Sequence, residues 1–144
     1  MMRIWHYALL PYLPDMQFRG QLRELVAIMR DWKDKGKTNH LLINRVMGYP
    51  KQDLGGYFLI YRKEYQRRYG KDVLATINLE FCDFCEGHSN QPPFKGWHNL
   101  EYLRICYANL LEKHNGIGKS RITDEEWARL CEGYKTITGE DYEI

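Results

Sequence analysis

The chain has no long apolar run, few cysteines and little net charge, and the first two shortages argue against a membrane-spanning protein and a disulfide-stapled one. No stretch approaches the roughly 18 to 20 continuous apolar residues that a membrane span needs. Near the amino terminus, Pro11 and Pro14 interrupt the apolar residues and no small-residue cleavage site follows, so a secretory signal is not expected. We therefore expect a cytoplasmic protein that does not bind a membrane.

Cysteine is scarce, with 4 among 144 residues, and a chain with 44% hydrophobic residues can build a core without disulfide staples. We expect the thiols to be reduced. A chain of this length is too short for two ordinary domains, so residues 1–144 are predicted to form one domain, and a monomer is favoured.

The net charge is only +2, but the charges are distributed unevenly. Residues 1–72 carry 14 Lys or Arg against 7 Asp or Glu, and residues 73–144 carry 7 against 12. The first half is thus +7 and the second half −5. A basic half is typical of proteins that bind a phosphate backbone. The alternative is that these cations only solvate helix surfaces.

Apolar residues recur at helical spacing along most of the chain, which predicts a mainly α, all-α single domain of four to five helices with long loops. The predicted helices span residues 14–35, 41–47, 53–69, 99–114 and a last segment from the capping box of Thr123 and Glu126. Asp53 is the expected N-cap of the third helix and Gly70 its stop. Residues 73–81 fit a helix or a strand, and residues 82–98 read as a long loop.

On the first helix, the run GQLREL (20–25) places Glu24 on a flank of the apolar face, opposite a stripe of arginines. A carboxylate that is partly shielded and near cations can stabilise a positive charge that develops in a reaction. Taken alone, such a glutamate is more often a plain surface residue.

Three short motifs in the first 24 residues carry a resemblance. They are MRIWH (2–6), LPYLP (10–14) and GQLRE (20–24). His40 and Asn44 follow before Val46, and the pattern H-N-x-x-Y-L-x-x-C-x-x-N-L occupies residues 98–110. In this order the motifs resemble the pyrimidine-dimer DNA glycosylase family, best known for the phage endonuclease V, and above all its bacterial branch.

The resemblance implies a DNA repair glycosylase with AP-lyase activity, without a cofactor, acting on double-stranded damaged DNA that holds damaged bases, pyrimidine dimers among them, or abasic sites. The family's nucleophile is the backbone α-amine, which forms an imine with the sugar. It corresponds here to Met2, with Glu24 as the catalytic carboxylate and Arg23 beside it. An amine must be held still to attack, and Trp5, His6 and Tyr7 would anchor it.

The same resemblance and the basic half supply candidate nucleic-acid contacts. They are Arg3, Gln21, His40, Asn44, Arg45, Lys63, Arg67 and Lys71. The last three share one face of the third helix and suggest a clamp on the DNA backbone. The tyrosines of that helix are expected in the core rather than stacked on bases. Taken alone, His40 is more often a satisfied core histidine.

Two departures leave points open. Gln17 and Ala27 stand where the phage enzyme has a histidine and an arginine, so specificity for pyrimidine dimers is not implied. Met1 precedes Met2, and the family's chemistry needs the free amine on Met2, which we expect to be the true start.

Two other interpretations remain. Cys82, Cys85, His88 and His98 could ligate a structural zinc ion, although their spacing is loose. The chain could also be a helical domain that binds nucleic acid without catalysis. A metal-dependent nuclease is disfavoured, because the sequence has no compact cluster of Asp, Glu and His.

Overall fold

The computed structural model describes residues 3–116 and 122–140, and in that part of the chain it contains helices and no strand. The mainly α fold class is therefore confirmed. The α-helices are α1 (Asp15–Lys35), α2 (Lys51–Tyr69), α3 (Ala75–Cys85), α4 (Leu100–His114) and α5 (Asp124–Thr138), and two 3₁₀ helices cover Tyr7–Tyr12 and Ile43–Gly48. None of the described helices combines the length and apolar character needed to cross a membrane.

Most predicted helix boundaries are confirmed, because they depend on local chemistry. Gly36 ends α1 with a φ of 70°, a left-handed conformation that glycine adopts without strain. Asn99 caps α4 by accepting the Tyr102 N–H. Thr123 and Glu126 form the expected reciprocal capping box at the start of α5.

Other predictions were wrong. The second helix is a 3₁₀ helix that begins at Ile43, so Leu41 and Leu42 lie outside it. Asp53 is not the N-cap of α2; Pro50 is, and the Asp53 carboxylate instead accepts the Phe94 N–H at 3.0 Å. The predicted loop of residues 82–98 begins later, because α3 extends to Cys85; the segment of residues 73–81, which fitted a helix or a strand, is helical from Ala75.

The core is built around α2, whose Tyr57 and Tyr61 are fully buried. The 3₁₀ helix Tyr7–Tyr12 packs between α2 and α5, while α3 packs on α1 and α2. The Tyr12 ring of that 3₁₀ helix lies so close to α5 that a Cβ built on Gly133 would be 2.2 Å from Tyr12 Cγ. The amino-terminal segment is thus enclosed by the fold.

Candidate active site

Residues 3–6 precede the first 3₁₀ helix, and their backbone bonds to side chains from other elements. The Arg3 N–H donates to the Glu24 carboxylate, and the Tyr102 hydroxyl donates to the Ile4 carbonyl at 2.5 Å. Tyr57 donates to the Trp5 carbonyl at 2.5 Å. Because an unpaired buried backbone group is costly, these bonds fix the segment where no helix or strand supports it.

Gln21 of α1 is the central partner of this segment. Its amide oxygen accepts the Trp5 N–H at 2.8 Å, and its amide nitrogen donates to the Arg3 carbonyl at 2.8 Å. The Tyr57 hydroxyl lies 3.1 Å from the same oxygen. With 0% of its surface exposed, Gln21 offers no atom to DNA, so the expected nucleic-acid contact is replaced by a positioning role.

Glu24 lies one helical turn beyond Gln21 and is partly buried. Burial raises the pKa of its carboxyl, while the Arg3 N–H and the charges of Arg3 and Arg23 oppose that rise. The carboxylate is therefore partly shielded from solvent and accepts a hydrogen bond from the backbone N–H of Arg3. A group in this state can stabilise a nearby cation and can also accept a proton.

The side chains of Arg23 and Glu24 both pass close to Gly20. A Cβ built on Gly20 would lie 3.7 Å from Arg23 Nη2 and 4.0 Å from Glu24 Oε1, so both side chains bend toward the same point. Arg23 is itself exposed, so a phosphate in solvent could reach it.

Two clefts adjoin this site. The first, here called the N-terminal cleft, has a volume of about 290 Å³ and is lined by Arg3, Leu42, Ile43, Arg45, Trp97, Tyr102, Ile105, Cys106 and Asn109. Within it the Arg45 guanidinium lies 5.6 Å from the centre of the Trp97 ring. Its walls are mostly apolar, with a cation on either side. Such a surface suits a group that is both aromatic and attached to phosphate.

The second, here called the tyrosine cleft, runs between α1 and α2 with a volume of about 390 Å³. It is lined by Arg19, Leu22, Arg23, Tyr61, Tyr65, Tyr69 and Lys71, which include three cations and no acid. Arg23 thus belongs to this cleft while Glu24 bonds to the segment that lines the other one. The Glu24 carboxylate is thus next in sequence to a residue of the tyrosine cleft and bonded to a residue of the N-terminal cleft.

Two buried histidines, His6 of this segment and His98, help to hold the segment in place. The rings of His6 and His98 stack with centres 5.1 Å apart, and His98 Nδ1 accepts the Tyr7 N–H at 3.2 Å. Burial lowers the pKa of His6 to about 4 and that of His98 to about 2. Bonds from the His6 ring to the backbone of residues 98 and 99 oppose the first shift. Both rings are neutral at pH 7.

This pair predicts acid sensitivity. Above pH 6.5, the ordinary histidine pKa, both rings are neutral folded or unfolded and contribute no pH dependence. Below it the unfolded chain binds two protons that the fold excludes, so the free energy of unfolding should fall from pH 6.5 to about 4, by up to about 2.7 kcal/mol per pH unit. Urea unfolding of His6→Gln should show a shallower slope, whereas His88→Gln, at an exposed histidine, should match the parent. Equal slopes for His6→Gln and the parent would contradict this.

Comparison with known proteins identifies the family. The sequence model of the family described as pyrimidine dimer DNA glycosylase matches residues 2–76, which is just over half of the chain. The chain belongs to this family. Membership indicates a DNA repair glycosylase and makes DNA its substrate. Searches of curated proteins and of solved structures gave no significant match. The matched range includes Arg3, Gln21 and Glu24, whereas Trp97 and Tyr102 of the N-terminal cleft lie beyond it.

Met2, the nucleophile expected from the glycosylase resemblance, lies outside the described residues, as does Met1.

The other expected DNA contacts divide into two groups. His40 and Arg45 are exposed near the N-terminal cleft, so the core interpretation of His40 is wrong. The Asn44 side chain is occupied by Thr38, since its oxygen accepts the Thr38 N–H at 2.7 Å and its nitrogen donates to the Thr38 carbonyl at 3.2 Å. Asn44 therefore shapes a loop, whatever it contributes to binding.

The proposed stripe does not form one surface of α2, because Lys71 lies beyond the end of that helix at Tyr69. Lys63, Arg67 and Lys71 are all exposed. Lys71 lines the tyrosine cleft with Arg23, but Arg67 lies in a different cleft and pairs with Glu64 at 2.5 Å. Of the three, Lys71 is the one that the structure brings to the candidate site.

The candidate zinc ligands are not brought together. Cys82 is exposed, Cys85 is buried with its thiol pKa raised by burial to about 12, and His98 is stacked on His6. Among the described residues no group of three or more potential ligands could hold a metal ion. The zinc interpretation therefore has no support in this fold.

The sequence analysis does not predict the two hydroxyls, of Tyr57 and Tyr102, that bond to the backbone of Trp5 and Ile4. Tyr57 was assigned to the core, which is correct, but its bond to Trp5 was not foreseen. Tyr102 occupies the tyrosine position of the motif at residues 98–110, so a signal for it was present in the sequence.

Proposed function

We propose that this protein excises damaged bases and cleaves the DNA strand at the abasic site that is left. The α-amine of Met2 is the nucleophile and Glu24 is the catalytic carboxylate. One observation carries the proposal, namely the hydrogen bond from the Arg3 N–H to Glu24. It supports a carboxylate beside the residue that bears the amine. The family assignment supports DNA as the substrate.

In the first step the neutral amine attacks C1′ of the damaged nucleotide. The new N–C1′ bond forms as the glycosidic bond breaks, and the departing base takes that electron pair together with one proton from the amine nitrogen. An α-amine has an ordinary pKa of about 7.7 to 8.0, so a useful fraction is neutral near pH 7. Glu24 stabilises the positive charge that develops on the sugar.

In the second step the amine nitrogen loses a proton and the C1′–O4′ bond opens, so that O4′ is protonated and an imine remains. Removal of a proton from C2′ then expels the 3′ phosphate by β-elimination. A carboxylate with a raised pKa suits this proton transfer, because its proton affinity is closer to that required near neutral pH. Arg3 and Arg23 would hold the flanking phosphates.

Borohydride trapping tests this proposal. The protein is mixed with a duplex that contains one abasic site, and borohydride reduces any imine to a stable amine. We expect a covalent protein–DNA adduct, and peptide mass spectrometry should locate it at the amino-terminal residue. The intact mass identifies whether that residue is Met1 or Met2. A protein that binds the duplex and gives no adduct, or an adduct on a lysine, would overturn the proposed nucleophile.

A further inference from the structure

Two adjacent leucines stand in solvent at the rim of the N-terminal cleft. Leu41 is 88% exposed and Leu42 is 85% exposed, the highest values among the exposed large hydrophobic residues of the described chain. We call this pair the leucine tip. Single exposed leucines need no explanation, whereas exposed apolar side chains that adjoin one another can mark a binding surface.

The leucine tip is held rigidly. Thr38, which is buried, binds Asn44 through both its N–H and its hydroxyl, at 2.7 and 2.9 Å. The Ile43 N–H donates to the His40 carbonyl at 3.0 Å, and the Ile43 side chain is buried in the core. The loop is therefore closed at its base and anchored on one side. These contacts hold the loop in a conformation that leaves both leucines in solvent.

The position of the tip connects it to the candidate chemistry. Leu42 lines the same cleft as Arg3, and the Arg3 N–H bonds to Glu24. The surrounding segment is basic, because residues 35–45 contain Lys35, Lys37 and Arg45 and no Asp or Glu, and all three cations are exposed. An apolar tip among cations complements a stack of bases flanked by phosphates.

We propose that Leu41 and Leu42 enter the base stack beside the damaged nucleotide and hold the duplex open while the amine reaches C1′. This inference rests on the proposed function. Enzymes that react at a nucleotide within a duplex must first unstack it, and apolar side chains inserted between base steps do so by separating and kinking them. Burial of the two leucines against bases offsets part of the cost of unstacking.

The test compares two double variants. One is Leu41→Gln with Leu42→Gln; the control is Leu74→Gln with Leu79→Gln, whose leucines are 70% and 63% exposed and do not line the N-terminal cleft. Exposed substitutions of this kind should leave the fold intact. Each protein is assayed on an abasic strand, once alone and once in a duplex with 2-aminopurine next to the abasic site, where fluorescence reports unstacking.

We expect the Leu41/Leu42 variant to lose at least about tenfold more of the parent's cleavage rate on the duplex than on the single strand. Parent protein should raise the 2-aminopurine fluorescence and this variant should not. The control variant should behave as the parent does. Unchanged duplex cleavage, an equal loss on both substrates, or the same loss in the control would overturn the proposal.

The two proposals fail differently. If the parent cleaves neither substrate, the proposed function is wrong, and the fluorescence of the bound duplex still decides whether the leucine tip unstacks bases. If the parent cleaves both and the variant unstacks the duplex as well as the parent does, the tip is not a wedge although the chemistry stands.

Discussion

Glu24→Gln protein should bind DNA containing an abasic site with nearly the parent affinity and fail to cleave it. The amide is the same size as the carboxylate and keeps an oxygen that can accept the Arg3 N–H, so the amino-terminal segment should stay in place. What is lost is the negative charge and the ability to take up a proton. Each is typically worth a factor of about 10² or more in rate.

The stability of this variant should separate catalysis from folding. Burial holds the Glu24 pKa above its ordinary value, so the ionised carboxylate is less favourable in the folded protein than in the unfolded chain. Its unfavourable contribution grows as pH rises through the unfolded and then the folded pKa. The amide lacks this contribution, and we therefore expect urea unfolding at pH 7 to give a free energy no lower than that of the parent.

A matched control is available on α4, where Glu112 is exposed. Glu112→Gln makes the same chemical change away from the candidate site and should cleave at the parent rate. Strand cleavage is followed on a labelled abasic duplex under single-turnover conditions, with binding measured separately. If folded Glu24→Gln protein cleaves at the parent rate, Glu24 is not the catalytic carboxylate.

The parts of the fold that the sequence predicted are those determined by neighbouring residues. Gly36 ends α1 and the capping box starts α5 because these features depend on contacts within three or four positions. The second predicted helix failed for the opposite reason. Leu41 and Leu42 fit the apolar period with Ile43 and Val46, yet the Thr38–Asn44 bonds turn the chain so that only the latter two face the core.

The sequence offers candidates for the site but not their arrangement. Glu24 and Arg23 are candidates because of a motif resemblance, and their roles stay predictions. The bonds that position the segment before them join residues far apart in sequence, such as Tyr7 to His98 and Trp5 to Gln21. No periodicity encodes such pairs, because they depend on how the helices pack. For that reason Gln21 was expected to touch DNA, when its amide is turned inward.

Gln21→Met protein should be both less stable and slower to form the imine. Methionine has nearly the size and helix propensity of glutamine, so α1 itself should be preserved. The change leaves the Trp5 N–H and the Arg3 carbonyl without the partners they have in the fold. A buried group without its partner costs about 1 to 3 kcal/mol, so with two such groups we expect the free energy of unfolding to fall by about 2 to 6 kcal/mol.

The effect on chemistry follows from position rather than contact. Gln21 is buried and does not reach the substrate, but its amide bonds to the Arg3 carbonyl and to the Trp5 N–H, the polar groups on either side of Ile4. If that segment loosens, the amine spends less time within the about 3 to 3.5 Å from which it can attack. Borohydride trapping at a temperature where the variant is fully folded should then be at least about tenfold slower, with the affinity for the duplex nearly unchanged.

Gln91→Met, at an exposed glutamine in the loop before α4, is the matched control and should alter neither quantity. The two readouts distinguish the possible roles of Gln21. A variant that loses stability but traps at the parent rate when folded would make Gln21 a purely structural residue. A variant that keeps its stability would mean that the hydrogen bonds to Arg3 and Trp5 are not what holds the segment, and the bonds from Tyr57 and Tyr102 would then have to supply that restraint.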